Sequence, residues 1–143
     1  MSLQYPVTLS PDENGTIIAE FPDIPGALTV GRDEANALEW AKDALLVMLS
    51  GIMDQRRPIP LPSPASPGQP LVEVPPMAEA KLTIYQAMLD QGVSQLKMAS
   101  LLLTDARQIR RLLDLNHHSR FDQIEMALAV LGFHLTLNIR RAA

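Results

Sequence analysis

The sequence predicts an α+β chain: a small antiparallel sheet with one packed helix, then an all-helical helix-turn-helix domain with a C-terminal strand. Three observations predict it. Eight of the 12 prolines fall within the 19 residues from Pro58 to Pro76, and no helix crosses such a run, because proline lacks an N–H and biases its predecessor away from helix. Before this run apolar residues recur with period two as far as Gly31 and then with helical spacing to Ile52, and after it the spacing is mainly helical. The charge also changes sign across it. Residues 1–78 carry 4 Lys/Arg against 10 Asp/Glu, a net −6, and residues 79–143 carry 8 against 6, a net +2. Two modules with different partners are expected, at 1–76 and 77–143.

Each element follows from its own residues. Leu3, Tyr5, Val7 and Leu9 alternate with polar neighbours as one strand, and Pro11-Asp12-Glu13-Asn14-Gly15 reads as a hairpin turn. Thr16 to Phe21 returns as a second strand. The corner from Pro22 to Gly26 leads into a third, Ala27 to Gly31. Asp33 is placed to cap a helix whose Leu38, Ala41, Leu45, Met48, Leu49 and Ile52 form one stripe, with Trp40 packing beside it. Within the proline-rich run, extended and partly polyproline-like, Leu71 to Val74 is a short strand.

The second module reads as four helices and a strand. Leu82 to Gln91 is helical and stops at Gly92, and Ser94 caps a second helix reaching Leu102. Asp105, with Gln108 three residues on, opens a third helix through Leu115. Ser119 with Asp122 starts a fourth, with Phe121, Ile124, Leu128 and Leu131 as its stripe. Met48, Met88, Met98 and Met126 read as core filler. Leu135 to Arg140 alternates with period two. A lone strand cannot stabilise itself, so it pairs either with the first module or with the same strand of a second copy. The second is favoured because two-fold dimers are the commonest oligomers, which makes Leu135, Leu137 and Ile139 the expected dimerisation residues.

The stretch from Gln95 to Leu113 carries the functional signal. Ala99 supplies the small residue at which two helices of a helix-turn-helix cross, and Met98, Leu102, Ile109 and Leu112 have the spacing that seals their angle. At 100° per residue Ala106, Ile109 and Leu113 point inward, while Arg107 and Arg111 point outward beside Gln108 and Arg110. Arginine grips guanine and glutamine grips adenine, and either can meet phosphate, so these four are the candidate DNA-binding residues. Thr104 and Lys97 are added as phosphate contacts. The turn, where glycine is usual, carries Leu103 instead. The alternative is a helical bundle that only dimerises, its arginines a solvated face with Arg110 paired to Asp114.

Tyr5-Pro6-Val7, the run from Phe21 to Gly31, and Ala37-Leu38 through Leu46 resemble the HicB antitoxin family. Pro58 to Pro64, Val72 to Pro75 and Leu115-Asn116-His117-His118 resemble its form with a C-terminal helix-turn-helix. The resemblance covers nearly the whole chain. It implies an N-terminal fold that is a degraded ribonuclease H-like unit and a partner that is a HicA-like ribonuclease toxin. It also implies repression of the operon through operator DNA. On that basis Asp23, Ile24, Pro25, Gly26, Ala27, Leu28 and Thr29 are the expected toxin-binding residues, and the acidic module suits a basic, RNA-cleaving partner.

Other chemistries are weaker readings. Asp12, Glu13, Glu20, Asp23 and Asp33 could be imagined as a two-metal nuclease, but acids in turns and helix caps are common for structural reasons. Adjacent His117 and His118 rarely share one ion, and neither a cysteine nor a third nearby histidine completes a metal site. No cofactor is implied. The longest apolar runs, such as Leu101 to Leu103, are far too short to span a bilayer, and with no signal segment and no cysteine the expectation is a cytoplasmic homodimer, its further assembly left open.

Overall fold

The structure is a computed structural model and describes residues 3–142. Among the described residues it is a mixed α/β fold with two small antiparallel sheets and five helices, and the chain divides into two units, Met1–Glu79 and Ala80–Ala143.

The first unit contains β1 (Gln4–Pro6), β2 (Thr8–Pro11), β3 (Ile17–Glu20), β4 (Leu28–Gly31), α1 (Glu34–Asp54) and β5 (Leu71–Glu73). Strands β2, β3 and β4 form a meander, and β1 pairs with β5. The single strand predicted from Leu3 to Ser10 is therefore split at Val7, because its partner changes there. The Val7 N–H donates to Pro70 O at 2.9 Å between the two ladders. In the hairpin loop the positive φ falls on Gly15 at 75°, not on Asn14, and Asp12 N–H donates to Thr16 O at 2.8 Å.

Helix α1 starts where Asp33 predicts, its carboxylate accepting from Asn36 N–H at 2.8 Å. Its buried face is Ala37, Ala41, Leu45, Leu49, Ile52 and Met53, with Leu38 and Met48 half-buried at the flanks. It packs on β3 and β4. Trp40 corrects the sequence reading: it faces solvent rather than packing beside the stripe. Close approach of strand and helix is set by Gly31, where an added Cβ would lie 2.3 Å from Ala37 N and 2.5 Å from Ala37 Cα.

The proline-rich segment returns across the unit as extended chain, tied at separated points. The Tyr5 hydroxyl donates to Pro60 O at 2.6 Å. The Asp23 carboxylate accepts from Ser63 N–H at 2.8 Å and from the Ser63 hydroxyl. Strand β5 then closes the ladder with β1.

Helix α2 (Pro76–Gln91) begins six residues before the predicted Leu82, since proline is compatible with the first helical turn, and the division between the units falls within it. It ends at Gly92 (φ 66°). Helices α3 (Gln95–Leu101), α4 (Ala106–Leu112) and α5 (Phe121–Val130) follow. Ser94 and Asp105 cap as predicted, accepting from Lys97 N–H at 3.0 Å and Gln108 N–H at 2.9 Å. Helix α4 stops at Leu112 rather than Leu115, and Arg120, not Ser119, precedes α5.

Ile124, Ala127, Leu128 and Leu131 are buried, as are Met88 and Met98. Phe121 and Met126, read as core, are exposed: Phe121 is the first residue of α5, and Met126 lies on the face opposite the buried stripe. The predicted C-terminal strand is not formed among the described residues. A strand is defined by a ladder, and segment 133–142 has no ladder partner among the described residues. Ile139 is 87% exposed.

Two outcomes are expected. Gly31→Ala should lower stability by about 1–3 kcal/mol, read as a reduced urea midpoint, because the obstructing atoms are helix backbone. Burial first, and the Asp23 carboxylate second, push the Tyr5 phenol from 10.0 up to about 12. The unfolded chain therefore ionises at lower pH than the folded one. This contribution to stability is intact below pH 10 and is lost as pH climbs from 10 to about 12. The urea midpoint should fall across that window, and Tyr5→Phe should flatten the fall.

Candidate functional site

The first unit offers a sheet face that its own helix leaves uncovered. Successive side chains on a strand point to opposite faces. With α1 covering the face of Ala19 and Gly31, the other face carries two cross-strand rows, Thr8–Glu20–Leu28 and Ser10–Ile18–Val30. Leu28 is 53% and Val30 43% exposed, while Ile18 is half-buried. An apolar patch with a carboxylate at its edge sits on a module of net −6.

The seven corner candidates separate by role. Ile24 and Ala27 are core, and Asp23 spends both oxygens on Ser63. Pro25, Gly26 and Leu28 are exposed and Thr29 is half-buried. Gly26 takes φ 90°, turning the corner into β4. The acids weighed as a nuclease do not gather: Asp12 shapes the hairpin, Asp33 caps α1, and no group of three or more His, Cys, Asp or Glu that could hold a metal ion forms among the described residues.

In the second unit α3 and α4 pack together across the turn 102–105. Leu103 takes φ 53° and is 94% exposed. Around it Leu103 N–H donates to Ser100 O at 3.3 Å and Thr104 N–H to Ala99 O at 2.9 Å, the bond pair that closes a helix through a left-handed residue. The turn thus has the geometry that glycine favours, carried by a leucine.

Ile109 and Leu112 are buried beneath α4, and Ala106 and Leu113 half-buried. Arg107 and Arg110 face solvent, as do Thr104 and Lys97. Arg111 and Gln108 are half-buried, so the outward arginine pair is Arg107 with Arg110 rather than Arg107 with Arg111. Arg32–Asp33 and Arg120–Asp122 form ion pairs, whereas Arg110 does not pair with Asp114. Beside the arginines lies a groove of about 240 Å³, lined by Leu103, Thr104, Gln108, Arg111, Gln123 and Met126 among others.

Sequence reasoning missed Lys81. It is fully buried, and its ammonium donates to Arg111 O and Asp114 O at 2.8 Å, to His117 O at 2.7 Å and to Ser119 Oγ at 2.8 Å. Three N–H donors are shared among four oxygens. Arg111 lies in the last turn of α4, where a cation is also favoured by the helix dipole. Burial pulls the ammonium pKa below its usual 10.5, and the Asp114 carboxylate opposes that pull. A signal was present. Ala78, Lys81, Leu82, Tyr85 and Met88 share one buried stripe of α2, and a lysine on such a stripe needs internal acceptors. This also explains Ser119, whose hydroxyl serves Lys81 and lies 3.3 Å from His117 Nδ1 instead of capping α5.

The class of protein follows from comparison with known families. The profile of the HicB-like antitoxins of bacterial toxin–antitoxin systems matches residues 4–83, more than half of the chain. Relatives extend the likeness to nearly its full length. Antitoxin HicB 2 of Photorhabdus laumondii is 40% identical over 136 residues, 95% of this chain and 96% of its own. Antitoxin HicB 1 of the same organism is 36% identical over 138 residues, 96% and 88% of the two chains. Antitoxin HicB of Escherichia coli K12 is 36% identical over 135 residues, 94% and 98%. The chain belongs to the HicB-like antitoxin family. It is an antitoxin rather than an enzyme, and the family implies a toxin as its partner. No described helix is long and apolar enough to cross a membrane.

Leu103→Gly tests the turn. Relief of the left-handed strain exceeds the added chain entropy of glycine, so stability should rise by about 0.5–1 kcal/mol, seen as a higher thermal midpoint with α3 and α4 retained.

Proposed function

We propose that this antitoxin neutralises a HicA-type mRNA-cleaving toxin with its first unit and represses its own operon with its second. In this reading residues 1–76 bind the toxin. The outer sheet face and the corner, with Pro25, Gly26 and Leu28 in solvent and Thr29 half-buried beside them, cover the toxin's active site, while Asp23 holds the corner in shape. The acidity of the unit favours approach of a basic, RNA-binding surface. The order of three antiparallel strands and a helix supports descent from a ribonuclease H-like unit stripped of its metal-binding acids.

Residues 77–143 then bind operator DNA as a helix-turn-helix and dimerise. The observation that carries this is the arginine face of α4: Arg107 and Arg110 stand in solvent without ion pairs, directly after a tight turn from a capped helix. Gln108 and Arg111 flank them, with Thr104 and Lys97 toward phosphate. The segment carrying Leu135, Leu137 and Ile139 has an apolar alternation and no ladder of its own, which supports pairing with its copy in a cytoplasmic homodimer. Two α4 helices about 34–36 Å apart would meet successive major grooves, so the operator is palindromic.

The test uses the full chain. Arg107→Ala with Arg110→Ala should reduce affinity for the DNA upstream of its reading frame by about a hundredfold or more in a gel shift, while protection from the toxin in growing cells stays intact. Wild-type affinity should fall by about 0.9 log units per phosphate contact for each tenfold rise in salt. Unchanged binding by the double variant would leave a module whose helical unit only dimerises.

A further inference from the structure

We infer that Lys81 is a positioning residue for operator recognition: its ammonium, held by the oxygens of Arg111, Asp114, His117 and Ser119, fixes the angle at which α4 presents its arginines. This rests on the DNA-binding reading above and adds a determinant that touches no DNA.

Helix α4 is seven residues long, too short to hold its own direction, and its last turn continues into a non-helical stretch, 113–120. Backbone carbonyls in such a stretch ordinarily turn to water. Here those of Asp114 and His117 turn inward and meet the carbonyl of Arg111 at one nitrogen. The carbonyl of Arg111 belongs to the residue next to Arg110 and one helical turn from Arg107. Movement of that carbonyl away from the ammonium therefore rotates or tilts the arginine face.

No carboxylate forms an ion pair with Lys81 among the described residues. The shell resembles that of a cation in a peptide cage, with the lysine stem as its tether. A neutral side chain of equal length fills the space but leaves the oxygens without their shared donor. The groups facing the ammonium are the Asp114 carboxylate, directed to Asn116 N–H at 2.9 Å, and the His117 ring through Ser119. The lysine is fully buried, so exchange of its ammonium with a solvent ion is blocked.

The chain lacks cysteine, which permits a clean substitution of the charge alone. Lys81→Cys, alkylated while unfolded with bromoethylamine and refolded, restores an ammonium at nearly the original length. Alkylation with bromopropane gives the same length without charge. Two measurements follow: the ratio of operator to non-operator affinity, and amide hydrogen exchange over 106–119 without DNA. The aminoethyl form should match wild type within about threefold. The propyl form and Lys81→Met should lose about tenfold or more of the ratio and lose protection over 106–119. Binding to non-operator DNA should stay close to wild type, because phosphate attraction tolerates a misaimed helix.

Ser119→Ala removes one of the four oxygens and keeps the lysine. It should lower the ratio by about threefold, and it serves as the milder arm should the neutral Lys81 variants fail to fold. Equal behaviour of the propyl and aminoethyl forms, or an unaltered ratio and exchange pattern in Ser119→Ala, would overturn the inference. Absence of any operator preference in the wild-type chain would overturn the DNA-binding reading instead. The exchange comparison would then still decide whether Lys81 sets α4.

Discussion

One buried ammonium organises the helical unit. A charge taken out of water costs several kcal/mol unless every donor is satisfied, and Lys81 meets that condition with peptide oxygens and a hydroxyl rather than a counter-ion. Hydrogen bonds to a charged donor are worth about 1.5–3 kcal/mol each, enough to dictate the path of a short loop. Several local features then follow. Helix α4 ends at Leu112 because the chain must bend for three carbonyls to converge. Ser119 is drawn inward and is lost as a cap, so α5 begins one residue later with Asp122 in its first turn. The 113–120 loop contains no regular element, yet three of the four oxygens around the ammonium come from it.

The first unit solves a similar problem with different means. A segment holding eight prolines offers few N–H donors and cannot join a sheet along its length. It is fastened instead at points where its carbonyls, or the rare N–H, meet fixed partners: Tyr5 on Pro60, Asp23 on Ser63, Val7 on Pro70. Of these fasteners Tyr5 starts from β1 and Val7 from the link between β1 and β2. Asp23 starts from the corner, so the corner owes its form partly to a residue 40 positions away. That long-range tie is why an aspartate first read as a toxin contact serves as an internal anchor.

Much of this was legible in the sequence, for identifiable reasons. Local chemistry read correctly: Asp33, Ser94 and Asp105 cap their helices, Gly92 ends one, and the α1 and α5 stripes are buried largely as spaced. Errors came where a distant partner overrides local pattern. The first strand splits because β5 and β3 compete for it. Pro76 starts a helix that alternation and proline content hid. Arg111 lines the groove it shares with Gln123 and Met126 of α5, so the fully exposed pair is Arg107 and Arg110. The C-terminal alternation is real, but a ladder needs a second strand, and the described residues supply none. The two candidate faces were seen as residue sets; their shapes depend on register across three strands and on Lys81, which no local window contains.

The opposed charges of the two halves bear on how one small chain can serve two partners. Duplex DNA repels a surface carrying net −6, so on the proposed reading the antitoxin half does not compete for the operator, and encounter is steered to α4. The +2 of the other half is small for a DNA-binding unit. Three arginines on one seven-residue helix must then do by placement what a more basic protein does by bulk charge. Phosphate attraction scales with the number of contacts and tolerates misalignment, whereas bidentate reading of bases does not. A weakly charged reader therefore depends more heavily on the exact aim of its helix. In this fold that aim is set by an internal lysine, so one of the eight positive charges of the basic half is withdrawn from solvent and used to direct the others.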